Sequence, residues 1–486
     1  MITVPPGHSR MVRIGAAFVV VVAACVSVSG PGSFALLTGP TAASPTASTG
    51  QLGPPNLACT WLSGTTLQLA WADTSATFTT GYRYQRSNTS GSGYSTLGTT
   101  SSESSTTGSD VPPSPVTTPR YYVTQSTHGV WTSPSSNEVA SSGCGGTILG
   151  FAGVGTPSAP VCSSSTSATS SQVGTKVGAQ ALSLDSAGGI LYFADSFNTP
   201  ACIRTLNLTT GAVGWVAGGG ASTTCGTTTA AAVSLSSPGG VELDSSGNVY
   251  IADTNNNCVR KVATNGTVTA IAGGGSTNCP TSGLASSVKL NHPQGLAADA
   301  GGNLYIADTA NNCVLKIDSG GNVSKVAGGG GTNCPTSSAG SATKFNQPGG
   351  LALDPSGNLI IADASNNCVL SVNTSTGTVT KIGGNGAPSS CATSGTATAT
   401  GMNPTGVAVN SAGDVFISDT NKSCLRKISG GNVAPIAGTG INGSTGNNGP
   451  ALVAQISAPS GLAVSPSGDL YVNDANNNTI RRIITP

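Results

Sequence analysis

Charge is the scarcest commodity in this chain. Of its 486 residues only 8% are Asp, Glu, Lys or Arg, and the formal net charge is +1. A nucleic-acid partner would require a basic stripe to neutralise phosphates, and the sequence has none. It also lacks the basic cluster that holds a chain to anionic lipid. Histidine is nearly missing, with only His8, His128 and His292. That is too few for mixed Cys/His zinc clusters, and no C-x-x-C pair occurs. No metal and no cofactor is therefore expected. Glu, Lys and Gln are too sparse to build many helices.

What remains is Gly, at 68 residues, with Ser, Thr and Asn filling most of what lies outside an apolar 37%. Gly-punctuated Val/Ile/Leu runs recur throughout, which reads as all-β with many tight turns. Thirteen cysteines in a chain so poor in His point to disulfides and an oxidising compartment.

The N-terminus agrees with export. Arg10 and Arg13 precede an apolar run from Ile14 to Val28. The run is short for a membrane span and suits a secretory signal. Within it, Val22-Ala23-Ala24-Cys25 resembles a bacterial lipobox, in which cleavage leaves Cys25 as a lipid-carrying N-terminus. An ordinary cleaved signal and an uncleaved anchor are the alternatives. Residues 1–28 are assigned to this signal, and residues 29–53 to a Pro/Thr/Ser/Ala linker.

Residues 54–144 hold short alternating strand candidates, among them "TTLQLAWAD", "TTGYRYQRSN" and "PRYYVTQSTHGVW". With Trp71, Tyr82, Tyr84, Tyr121 and Tyr122 on those strands and "SPSSNEV" closing it, the segment resembles a fibronectin type III domain. A Cys59–Cys144 bridge would clasp the two ends of that β-sandwich. Such modules are mostly spacers or adhesive units.

Residues 145–486 repeat. "LYFAD", "VYIAD", "LYIAD", "LIIAD", "VFISD" and "LYVND" place an aspartate at Asp195, Asp253, Asp308, Asp363, Asp419 and Asp474. Each unit reads as four strands, and six such units give a six-bladed β-propeller. The last unit stops after its third strand, "TIRRIITP", while a matching fourth, "TILGFAGVG", precedes the first unit. The N-terminal strand is expected to complete the final blade and close the ring. The run "DTNNNCVRK" makes the units resemble NHL repeats, with Asn257, Asn312 and Asn367 where the family has His, and cysteine where it has Arg.

In such a blade the loop between strands two and three shares a face with the linker from the preceding blade, so both cysteines of a repeat come within bridging reach. Each third-strand cysteine bonds either back to the linker entering its blade or forward to the linker leaving it. The sixth unit has Thr479 on its third strand and no cysteine in its entering linker, which favours backward pairing. That gives Cys162–Cys202, Cys225–Cys258, Cys279–Cys313, Cys334–Cys368 and Cys391–Cys424; forward pairing would strand Cys162 and Cys424. Loop closure predicts roughly 3–4 kcal/mol for each, and all five read as structural.

The six aspartates are expected to accept backbone N–H bonds from the following turn rather than to hold calcium. Arg204, Arg260, Lys261, Lys316, Arg426, Lys427, Arg481 and Arg482 fall on third strands and are expected to be solvated. Ligands are expected at the channel mouth, where Pro-x-Gly steps turn the chain into the innermost strands. The residues there are Ser237, His292, Gln294, Gln347, Asn403, Thr405 and Ser460. Glu242 stands at an inner position that is Ser183, Ala297, Ala352, Ala408 and Ala463 in the other units. The reading is an extracellular or cell-surface monomer that binds a protein or neutral polysaccharide and touches membrane only through its N-terminal signal or lipid anchor. The competing reading is a propeller hydrolase or lyase centred on Glu242 and His292.

Overall fold

The computed structural model describes residues 182–196, 201–391, 393–447 and 449–484 with Cys162, and ahead of these only the backbone of paired strands. The propeller is built blade by blade. In blade 3, Pro293–Ala298, Leu304–Asp308, Cys313–Ile317 and Asn322–Gly328 pair antiparallel in that order. The first hairpin is set by Asp299, whose two carboxylate oxygens accept the Asn303 N–H at 2.9 Å and its side-chain amide at 2.7 Å. This is an Asx-type turn, with Gly302 supplying the left-handed residue at φ +79°.

Six sheets of this kind form the ring, and each has five strands rather than four. The extra strand comes from the entering linker: Ser282–Leu284 pairs with the fourth strand of blade 3 on its way inward. A fourth strand left bare would expose a row of unpaired N–H and C=O groups. The linker covers it.

Closure follows the sequence reading. Thr147–Ala152 pairs antiparallel with Thr479–Ile484, and Gly449–Pro450 adds the outer strand of that blade. The apolar clusters lie between neighbouring blades, so each sheet is buried on both faces. Val259 of blade 2 packs with Leu296 and Ile306 of blade 3, while Leu191 and Phe193 of blade 1 pack with Tyr471 and Ile480 of blade 6. The second strands of blades 3 to 6 are consequently buried from end to end, Leu304 through Asp308 for example.

Five disulfides join Cys162 to Cys202, Cys225 to Cys258, Cys279 to Cys313, Cys334 to Cys368 and Cys391 to Cys424, with Cα–Cα distances of 6.0–6.2 Å. Each ties a third strand to the linker entering its blade. Cys25, the Cys59–Cys144 bridge and the signal lie outside the described residues; within the expected linker, Ser33–Leu37 pairs antiparallel with Ala47–Gln51.

Two expectations need correction. Arg204, Arg260, Arg426 and Arg481 are not solvated: each is at most 3% exposed and pairs with the aspartate of its own blade. The sheet alternates, so Arg260 shares its face with Cys258 and Val262, while Lys261 points the other way, over the Tyr250 ring. The aspartates also bond differently from the expected turn. Asp253 Oδ1 accepts the Ser236 N–H at 2.8 Å, from the segment leading into the first strand. Its Oδ2 accepts the Asn256 amide at 2.9 Å and Arg260 Nε at 2.7 Å.

A second unit precedes the propeller. Asn56–Trp61, Leu67–Ala72 and Thr107–Asp110 form one sheet; Val139–Ala140, Tyr121–His128, Gly81–Ser87 and Ser95–Thr99 form another in those spatial orders, with Trp131–Thr132 as its fifth strand paired to Tyr121–His128.

Candidate functional site

The loop motif after the second strand ties a blade to the start of the next blade's innermost strand, where the mouth residues are expected. In "DTNNN" of blade 2, Asp253 and Asn256 serve their own blade, while Thr254 and Asn257 reach the next one. Thr254 Oγ1 donates to the Pro293 carbonyl at 2.7 Å, and Asn257 Oδ1 accepts the His292 N–H at 2.8 Å. Blade 3 repeats this: Thr309 bonds Pro348 O at 2.8 Å, and Asn312 accepts the Gln347 N–H at 2.8 Å. Asn257 and Asn312 are themselves left-handed, at φ +54° and +56°, which Asn tolerates better than other non-glycine residues.

These clamps hold strained backbone. Ser237, His292, Gln347 and Ala458, each directly before a proline, lie at φ +46°, +50°, +54° and +50°. Such residues cost on the order of 1–3 kcal/mol each and persist only where their surroundings fix them. The fifth mouth residue differs for an identifiable reason. Blade 4 has Ala364 where blades 2 and 3 have Thr254 and Thr309, so the hydroxyl clamp is missing. Asn403 instead inserts its amide, donating to Asn367 Oδ1 at 2.9 Å and Ala364 O at 3.3 Å.

The expected ligand residues therefore divide. His292 and Gln347 are exposed; the His292 ring meets Asn291 at 3.0 Å, and Gln347 Oε1 accepts from Ser365 at 3.1 Å. Ser237, Gln294, Asn403 and Thr405 are half-buried, and Ser460 is buried, accepting from Asn473 at 2.9 Å. Gln294 has a packing role too. A Cβ on Gly240 would lie 2.1 Å from its carbonyl oxygen, so the glycine lets two inner strands touch.

Deeper on the inner strand, Glu242 faces blade 1, where Ser183 Oγ lies 3.4 Å from its Oε2. Burial pushes its carboxyl up to about 8; bonds from Ser183 and the backbone of Leu243 and Ala298 pull the other way without offsetting it. It keeps part of its surface open. Among the described hydrogen bonds none joins His292 to it: the His292 ring bonds Asn291 instead. The counterpart of His292 in blade 2 is Ser237, five residues before Glu242, or about 16 Å of strand at the usual rise. What Glu242 offers is a carboxyl that stays largely protonated at neutral pH and both donates and accepts hydrogen bonds.

Two other clusters combine ligand-type atoms. Cys279, Asp308 and Cys313, and likewise Cys334, Asp363 and Cys368, hold two sulfurs and a carboxylate oxygen within 4.8 Å of one another. The sulfurs are bonded to each other, so neither is a thiolate ligand. Sequence reasoning missed these clusters and the buried arginines. The period-2 alternation around Cys258 was the signal for the arginines.

A family model for the teneurin NHL domain matches residues 272–484, and one for the NHL repeat matches residues 235–262. The propeller is built of NHL repeats. Mouse teneurin-3 is 28% identical over 233 residues, covering 42% of this chain and 8% of that protein. Human NHL repeat-containing protein 2 is 34% identical over 128 residues, covering 24% of this chain and 18% of that protein. The chain thus spans less than a fifth of these curated relatives. An auxiliary nutrient binding protein from Bacteroides ovatus shares the fold, with a TM-score of 0.50, 12% identity, and coverage of 88% of this chain and 97% of that one.

Proposed function

We propose that this is an exported, non-catalytic binding protein whose NHL propeller engages a protein or a neutral polysaccharide at the cell surface. The observation that carries the reading is the clamped mouth. Strained backbone held in place by neighbouring blades displays exposed, hydrogen-bonding His292 and Gln347 beside Ser237 and Asn403. Strain fixed by its surroundings gathers where a protein binds something. The likeness to the teneurin NHL domain fits a scaffold or binding role. Five disulfides and the Arg10/Arg13-led apolar run favour export, with Cys25 as the lipid site if the signal is a lipobox. Among the described residues no helix is long and apolar enough to cross a membrane. The three- and five-stranded sheets before the propeller favour a fibronectin type III sandwich acting as a spacer.

Glycan-array binding and envelope pull-down, with wild type beside a Ser237→Ala, His292→Ala, Gln347→Ala triple variant, test the mouth. Binding is expected to fall at least tenfold; full retention removes the mouth as the site. The raised carboxyl of Glu242 favours one second reading, a hydrolase or lyase. Turnover of a lactone, ester or glycoside that disappears in Glu242→Gln would establish it.

A further inference from the structure

Five disulfides occupy equivalent places, yet two differ from the others in their surroundings. Blades 2 and 5 carry Arg260 and Arg426 on the third strand, whereas blades 3 and 4 carry Leu315 and Leu370 there. The aspartate beside the disulfide is kept in all four. In blades 3 and 4 it lies within 4.8 Å of both sulfurs. Its partners are an N–H and an amide: Asn291 and Asn311 for Asp308, at 2.8 and 2.9 Å, and Asn346 and Asn366 for Asp363, at the same distances. Lys316, next along the strand, turns to the Tyr305 ring. Across from Asp308 and Asp363 the third strands present the sulfurs and a leucine. The linker sulfurs, Cys279 and Cys334, are half-buried, and the third-strand sulfurs, Cys313 and Cys368, are fully buried.

We propose that Cys279–Cys313 and Cys334–Cys368 are thiol-exchange sites, at which a small thiol adds to the linker cysteine and the neighbouring aspartic acid protonates the sulfur that leaves. In the step, the attacking thiolate forms a bond to Cys279 Sγ as the Cys279–Cys313 bond breaks. The electron pair goes to Cys313 Sγ, which takes the Asp308 proton and becomes a thiol, leaving a carboxylate. The small thiol is now held in a mixed disulfide at Cys279. A second equivalent of thiol releases Cys279 and forms the small-molecule disulfide, so two thiols are oxidised as one bridge is reduced. Without a proton donor, a thiolate would be stranded in a buried site beside a second negative charge. Burial supplies the proton: it raises the Asp308 carboxyl to about 6 and that of Asp363 to about 7, with only the N–H and amide bonds opposing. In blade 2 the Arg260 guanidinium holds Asp253 as its ion-pair partner instead.

Cys225–Cys258 is the internal control, because Cys225 is also half-buried and the loop is of like length, 33 residues against 34. The native protein is exposed to limiting dithiothreitol between pH 5.5 and 8.5, quenched with N-ethylmaleimide and mapped bridge by bridge. Per unit of thiolate at pH 6, the bridges of blades 3 and 4 are expected to open at least tenfold faster than Cys225–Cys258. That advantage should shrink as pH rises past 7. Asp363→Asn should abolish it at Cys334–Cys368 while leaving it at Cys279–Cys313 of the same molecule, which also shows that the variant is folded. Equal rates at the three bridges, an advantage independent of pH, or an Asp363→Asn protein that keeps it would overturn the proposal.

Discussion

Blades 2 and 5 attach their entering linker twice, whereas blades 3 and 4 attach it to the third strand by sulfur alone. In blade 2 the disulfide is doubled by Arg260, which donates to the Thr224 and Thr223 carbonyls at 3.0 and 3.3 Å. In blade 5 Arg426 reaches the Thr393 and Ser390 carbonyls at 3.2 and 2.7 Å. Leu315 and Leu370 offer no such bonds. Blade 6 is the reverse case. It has Thr479 in place of cysteine, and Arg481 donates to the Gln455 and Thr445 carbonyls. Where the bridge would lie, Ser444, Asn447, Thr479 and Arg481 line a pocket of about 130 Å³. The difference teaches that guanidinium and disulfide are alternative tethers for one loop, used together or singly.

Removing the third-strand tether of blade 6, whose linker is otherwise held by hydrogen bonds such as that from Asn477 to the Gly443 carbonyl, should cost most. Arg481→Met also strands a buried carboxylate at Asp474, and a loss of about 3–5 kcal/mol is expected in urea unfolding. Hydrogen exchange should then rise across residues 439–447. Arg260→Met leaves a like charge unpaired, but Cys225–Cys258 should keep residues 219–226 protected. Equal loosening of both linkers would break the comparison.

Replacing Cys279 and Cys313 by Ser should cost roughly 3–4 kcal/mol through loop entropy. The same change at Cys225 and Cys258 should cost less, since Arg260 still holds the linker, and matched denaturation curves would show it.

Stability should also depend on pH with an unusual sign. Asp308, Asp363 and Glu242 are raised to about 6, 7 and 8, above their unfolded values, so the native state binds more protons. Their contribution is fully present below about pH 4 and is lost as pH climbs through 6 to 8. A fall in unfolding free energy between pH 5 and 9 is expected in urea denaturation, with a shallower slope in Asp363→Asn. The smallest change should be a gain: Ser444→Cys with Thr479→Cys, placed in the blade 6 pocket, is expected to add about 1–2 kcal/mol.

Much of the architecture was legible because repetition is a sequence property. The "LYIAD" period located the blades, and the shared lack of cysteine in the blade 6 linker and at Thr479 chose between pairings. The fifth strands were not legible, since two or three residues such as Gly395–Thr396 carry no alternation to read. The buried arginines were hidden by an assumption that charge means solvent. Only the ring's face-to-face packing, with a carboxylate already inside, makes an interior guanidinium stable. At the mouth, the Pro-x-Gly steps marked the place, but the cross-blade bonds of Asn257 and Thr254 depend on how neighbouring sheets dock. No spacing within one repeat reveals that.

The direct measurement is hydrogen exchange on the folded protein after the five propeller bridges are reduced and alkylated. Residues 219–226 and 385–391, held by Arg260 and Arg426, should stay protected, while 274–280 and 329–335 open. If all four linkers open alike, the arginines are not tethers and the account fails.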